Sequence, residues 1–66
     1  MELGERIVFT KQYTRDDGLI LAYSGDKGTV ITKLPYSNSY FVEVDKVRDR
    51  MYKQMWVGKQ YLEAEK

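Results

Sequence analysis

Apolar residues in this chain fall into short blocks, and each block is closed by polar, turn-forming residues. Glu5-Arg6-Ile7-Val8-Phe9-Thr10 is the first block, short and β-branched enough for a strand. Lys11 to Gly18 is polar and ends in Arg15-Asp16-Asp17-Gly18, which reads as a turn. Leu19-Ile20-Leu21-Ala22-Tyr23 is a continuous apolar run barely longer than one helical turn, so an extended segment is expected. The stretch Ser24-Gly25-Asp26-Lys27-Gly28-Thr29-Val30-Ile31 then launches a strand from a tight turn. Gly25 and Gly28 take positive φ at little steric expense, Asp26 can bond its own backbone, and Thr29, Val30 and Ile31 favour extension.

Thr29 to Leu34 alternates Val30, Thr32 and Leu34 against Thr29, Ile31 and Lys33, apolar on both faces as in a central strand. Pro35-Tyr36-Ser37-Asn38-Ser39 interrupts it, because proline cannot donate to a ladder and serine and asparagine favour turns. Tyr40-Phe41-Val42-Glu43-Val44 resumes with Tyr40, Val42 and Val44 on one face, which assigns Tyr40 to the core. Asp45 to Arg50 is a charged connection. Met51, Lys53, Met55 and Val57 then alternate with Tyr52, Gln54 and Trp56, predicting a strand over 51–57 that stops at Gly58. A helix over 46–56 is the alternative, since Val47, Met51 and Met55 recur every four residues and Asp45 could cap it. Lys59-Gln60-Tyr61-Leu62-Glu63 supplies a short final segment. There is no internal repeat, low-complexity tract or linker.

Sixty-six residues bound the chain to a single domain over 1–66, with an ordered core expected over 4–64. The chain contains neither cysteine nor histidine, so packing alone must hold it and no disulfide or zinc clip is available. Cysteine-free composition suits a reducing compartment, and Met1 is followed closely by Glu2, Glu5 and Arg6 rather than by an apolar leader. No apolar run approaches the roughly 20 residues of a membrane span. A soluble, cytoplasmic protein without a membrane partner is expected. The formal net charge is +1, but Lys46, Arg48, Arg50, Lys53 and Lys59 concentrate positive charge against only Asp45 and Asp49.

Tyr13-Thr14-Arg15-Asp16-Asp17-Gly18-Leu19-Ile20-Leu21 resembles the acidic RT loop of SH3 domains, and Trp56-Val57-Gly58-Lys59-Gln60-Tyr61-Leu62-Glu63 resembles their C-terminal motif. Gly25-Asp26-Lys27 is similar to the diverging turn, Pro35 to Ser39 to the n-Src loop, and Asp45 to Arg50 to the distal hairpin. The ordered set covers nearly the whole chain. The resemblance implies an all-β, five-stranded SH3-like barrel with a long first loop and a 3₁₀ turn before the last strand. It also implies aromatic ligand contacts, with Tyr61 matching the motif tyrosine and Tyr13 an RT-loop aromatic. Gly58 stands where the family has proline, and Ser39-Tyr40 where it has tryptophan. Gly25-Asp26-Lys27-Gly28-Thr29-Val30 further resembles the glycine turn of KOW-type barrels, which touch nucleic acid or protein.

Catalysis is not expected. Without histidine or cysteine the usual general bases and nucleophilic pairs are missing, and Gly25-Asp26-Lys27-Gly28 is too short and too strand-bound for a phosphate loop. Asp16-Asp17 reads as a solvated turn, and no metal or cofactor is expected. Two binding surfaces are considered. The first faces a protein partner and uses Tyr13, Tyr36, Trp56 and Tyr61, because tyrosine and tryptophan give large contact area at little entropic loss. Tyr61 is expected to be partly exposed, and Trp56 serves equally as packing or as ligand contact. The second faces nucleic acid with the basic 46–59 stretch, Lys46, Arg48, Arg50, Lys53 and Lys59 meeting phosphates and Tyr52 or Trp56 stacking on bases. Self-association through a strand edge is a third expectation.

Overall fold

Strand β1 (Arg6–Phe9) buries Ile7 and Phe9 and turns Arg6 and Val8 to the other face, the two-residue alternation of a pleated chain. The same rule fills the rest of the interior in this computed structural model, which describes residues 1–65. Strand β5 (Ser39–Val44) contributes Val42 and Val44, and β6 (Gln54–Gly58) contributes Met55 and Val57. Leu21 and Ala22 of β3 (Ile20–Ala22), Val30 of β4 (Lys27–Lys33) and Leu62 of β7 (Leu62–Ala64) complete one cluster. No polar or charged residue is buried among the described residues. The Cα radius of gyration is 10.8 Å, close to the roughly 11 Å that a compact chain of this length takes.

The chain is all-β, with two sheets. Five strands pair antiparallel in the order β6-β5-β4-β1-β7, and β2 (Tyr13–Thr14) pairs with β3 as a separate hairpin inserted between β1 and β4. Two 3₁₀ turns, Arg50–Tyr52 and Lys59–Tyr61, precede β6 and β7. No helix among the described residues is long and apolar enough to cross a membrane.

Three local expectations change. The strand predicted from Met51 begins at Gln54, because the Asp49 side chain accepts the Met51 N–H and winds Arg50–Tyr52 into a 3₁₀ turn. The alternative helix over 46–56 is thereby reduced to that one turn. Alternation along β4 breaks after Val30: Val30 opposes Val42 but Thr32 opposes Phe41, leaving Ile31 as an extra residue. Thr32 and Leu34, expected on the face of Val30, are exposed instead. Tyr13–Thr14, read as part of a polar loop, pairs with β3. Tyr40, expected in the core, is half-buried and packs against it from the side.

The glycine turn divides its labour. Gly25 has φ of 94°, which L-residues rarely adopt, and it donates its N–H to the Phe9 carbonyl at 2.8 Å. Gly28 has no positive φ. It lies within β4 opposite Val44, and a Cβ placed on it would stand 2.6 Å from the Glu43 carbonyl oxygen. Backbone cannot yield that distance without separating β4 from β5. Gly28→Val is therefore expected to lower the thermal unfolding midpoint by about 10 °C or more. Thermal denaturation followed by circular dichroism checks this, and an unchanged midpoint would refute the close-approach role.

Candidate functional site

Strand β6 is an edge strand, and the β2–β3 hairpin lies beside it without joining the ladder: no backbone hydrogen bond links the two among the described residues. The link is made by side chains. The Tyr13 hydroxyl donates to the Trp56 carbonyl at 3.0 Å, and Arg15 Nη1 donates to the Tyr52 hydroxyl at 2.6 Å. Between these bridges lies a groove of about 350 Å³ lined by Tyr13, Thr14, Arg15, Asp16, Leu21, Tyr52, Met55 and Trp56. Leu21 and Met55 are core residues and form its apolar floor. Trp56 is 43% exposed because β6 alternation points Met55 inward and the indole outward, where it packs on Phe41 with ring centroids 5.1 Å apart.

The walls are held from behind. Tyr61 meets Tyr13 edge-on at 4.8 Å between centroids, and Lys11 Nζ sits 4.9 Å from the Tyr61 ring centre. Burial, followed by the neighbouring Tyr61 and Asp16, pushes the Tyr13 phenol above its usual range, so it remains a hydroxyl donor at neutral pH. At the hairpin tip Arg15 pairs with Asp17 and stacks 5.4 Å from the Tyr52 ring centre. Arg15, and after it the Leu19 N–H at 3.1 Å, bring the Asp17 carboxyl down to about 2. Asp16 lines the groove with an exposed carboxylate that makes no ion pair among the described residues.

Of the four residues assigned to a protein partner, Tyr13 and Trp56 line the groove, and Tyr61, half-buried, braces Tyr13. Tyr36 stands fully exposed in the turn between β4 and β5, outside the groove. The residues assigned to nucleic acid divide between the groove, an ion pair and the open surface. Tyr52 and Trp56 belong to the groove, and Lys46, Arg50, Lys53 and Lys59 are exposed. Arg48 is engaged by Asp26, its Nε at 3.1 Å and Nη2 at 2.8 Å from the two carboxylate oxygens, with its guanidinium 4.6 Å above the Tyr23 ring centre. Sequence reading missed Leu21, Met55 and Arg15 as groove residues. Leu21 and Met55 carry only the signal of core alternation, and nothing in one dimension brings Arg15 to Tyr52.

A second hollow of about 520 Å³ borders the Lys59–Tyr61 turn, lined by Thr10, Asn38, Lys59, Gln60, Leu62 and Glu63. It is larger, but it offers one apolar side chain and no aromatic ring, so it lacks the composition of a peptide or small-molecule site. No three acidic side chains converge as metal ligands among the described residues. No protein-family model matches the chain, and neither a curated protein nor a solved structure matches it.

Asp26 sets a pH dependence. Hydrogen bonds from Arg48 first, and then the Tyr23 N–H, hold its carboxyl below the ordinary value of 3.8. A depressed folded pKa contributes stability that is present above the unfolded value and is lost as pH falls through the folded one. The unfolding midpoint is expected to be level from pH 7 to about pH 5 and to fall below about pH 4. Asp26→Asn should lower the midpoint at pH 7 by about 5 °C and make the acid fall shallower. Thermal melts of both proteins across this range check it, and parallel acid limbs would remove Asp26 as a contributor.

Proposed function

We propose that this chain is an SH3-like barrel that binds a protein partner, without catalysis, through the groove between the β2–β3 hairpin and β6. The observation that carries the reading is the convergence of Tyr13, Tyr52 and Trp56 over a floor of Leu21 and Met55. Rings of this kind offer apolar area with a polar tip and lose little rotamer entropy on binding, as interface anchors do. Two features support the reading: the long excursion between β1 and β4 and the 3₁₀ turn ahead of β7 are both among those that the resemblance to SH3 domains implies.

Nucleic-acid binding finds less support. Its basic set reduces to Lys46, Arg50, Lys53 and Lys59 once Arg48 is neutralised by Asp26, and of its two stacking rings Trp56 packs on Phe41 and Tyr52 carries Arg15 on one face. Four surface cations give only a modest counterion-release term.

Peptides selected from a displayed random library, with affinities measured by calorimetry and the fluorescence of the single tryptophan followed in the unsubstituted chain, test the reading. Binding should shift the Trp56 emission, and Trp56→Ala should weaken it at least about tenfold while leaving the fold intact, since the indole is outside the core. Peptides whose affinity is unchanged by Trp56→Ala would overturn the groove assignment. Salt-sensitive oligonucleotide binding lost on Arg50→Ala and Lys53→Ala would favour the other surface. Arg48 is unsuitable for that experiment because its removal also unpairs Asp26.

A further inference from the structure

The open edge of β6 has a bonding pattern that its register fixes. Val44 donates its N–H to the Lys53 carbonyl at 2.9 Å, and Lys59 donates to the Asn38 carbonyl at 2.6 Å. Pairing runs unbroken between these points, so the bonded pairs are Val42 with Met55 and Tyr40 with Val57. Gln54 and Trp56 consequently aim their N–H and C=O groups away from β5, about 6.8 Å apart along the edge. Among the described residues, the Gln54 N–H and C=O and the Trp56 N–H have no partner, and the Trp56 carbonyl has only the Tyr13 hydroxyl. Met55 and Trp56 of this edge line the groove, and Gln54 lies next to them along the strand.

We propose that the groove takes its partner as an added β-strand on the edge Gln54–Trp56, and that the partner is an extended segment with acidic residues at both ends. The inference rests on the groove reading above and specifies its mode. Unpaired backbone groups on an edge strand are a template for another strand, with main-chain bonds giving affinity and alternate side chains giving choice. An added strand directs every second side chain over Leu21 and Met55, which calls for apolar residues at those positions. Its N–H replaces the Tyr13 hydroxyl on the Trp56 carbonyl, so that hydroxyl is a stand-in for the partner.

Charge selects the occupant. Lys53 and Lys59 flank the edge, both exposed and neither in an ion pair among the described residues. A second copy pairing antiparallel about Trp56 would set Lys53 against Lys59 of the other copy twice over, which like-charge repulsion opposes. Carboxylates at the ends of a seven-residue segment, opposite positions 53 and 59, meet those lysines instead. Proline at a bonded position would remove the N–H that the edge requires.

The probe is a blocked heptapeptide with glutamate at each end and alternating valine and threonine between. Titrated to about 2 mM against the intact chain, it is expected to bind and to slow amide exchange at Gln54 and Trp56 at least about tenfold. N-methylation along the peptide should weaken binding at every second residue only. Replacing both glutamates by lysine should weaken it at least about tenfold at low salt. Tyr13→Phe, which keeps the ring and removes only the hydroxyl that the partner's N–H displaces, should raise affinity up to about fivefold. Failure to bind at this concentration, or binding with both amides still exchanging freely, overturns strand addition. So does a loss of about tenfold or more in Tyr13→Phe, which would place the hydroxyl on the peptide itself. If the Tyr13, Tyr52 and Trp56 ring signals shift without amide protection, strand addition falls and the groove reading survives. If those rings answer neither this probe nor the selected peptides, both fall.

Discussion

Asp26 is the residue on which four segments of this chain converge. Its carbonyl accepts the Phe9 N–H at 2.7 Å, its own N–H donates to the Tyr23 carbonyl at 3.0 Å, and its carboxylate accepts from the Tyr23 N–H and from both arms of Arg48. The end of β1, the end of the hairpin, the start of β4 and the connection ahead of β6 are thereby fixed to one another. With a side chain only 10% exposed, Asp26 is less solvated than any other carboxylate in the ion pairs of the described residues. The paired geometry keeps that partial burial from being a penalty. The remaining pairs, such as Arg6 with Asp45, lie in solvent and add little.

The groove follows from how the hairpin is held. Leu21 and Ala22 are committed to the core, so β3 cannot move away from the main sheet. Tyr13 reaches β6, and Arg15 the 3₁₀ turn ahead of it, only with side-chain tips, so the hairpin cannot zip onto the edge either. A hairpin anchored by its buried residues and bridged at two points leaves space between its backbone and the edge strand, and apolar floor is exposed there because both walls descend into the same core. A fold this small has little interior to spare for a closed cavity. A groove at the seam between its two sheets is the concavity left to it.

Much of the strand pattern was legible because alternation is local. Ile7 with Phe9, Val42 with Val44, and Met55 with Val57 are buried as their spacing demands. The turn at Arg15–Gly18 and the break at Pro35 follow from the backbone preferences of the residues present. Local reading failed where a residue far away decided. The bulge at Ile31 exists because β4 must keep register with β5. The 3₁₀ turn at Arg50–Tyr52 depends on a side-chain bond from Asp49 that competes with extension. Among the site residues, Tyr13 and Trp56 were marked by their chemistry alone, whereas Tyr36 carried the same chemistry and stands apart.

The sequence by itself determined that the chain is all-β and where most strands lie, since each depends on neighbours within a few positions. It also supplied the inventory: aromatic rings, lysines, and neither histidine nor cysteine. Tertiary structure alone decided what those groups do. It turned Arg48 from an available cation into the partner of Asp26, moved Tyr52 from a basic stripe into an aromatic groove, and set the bare side of β6 toward that groove. Each of these depends on contacts across 22 residues or more of chain, from Arg48 to Asp26, Arg15 to Tyr52 and Tyr13 to Trp56. Pairings at such separations exist only once the two sheets have packed around their common core.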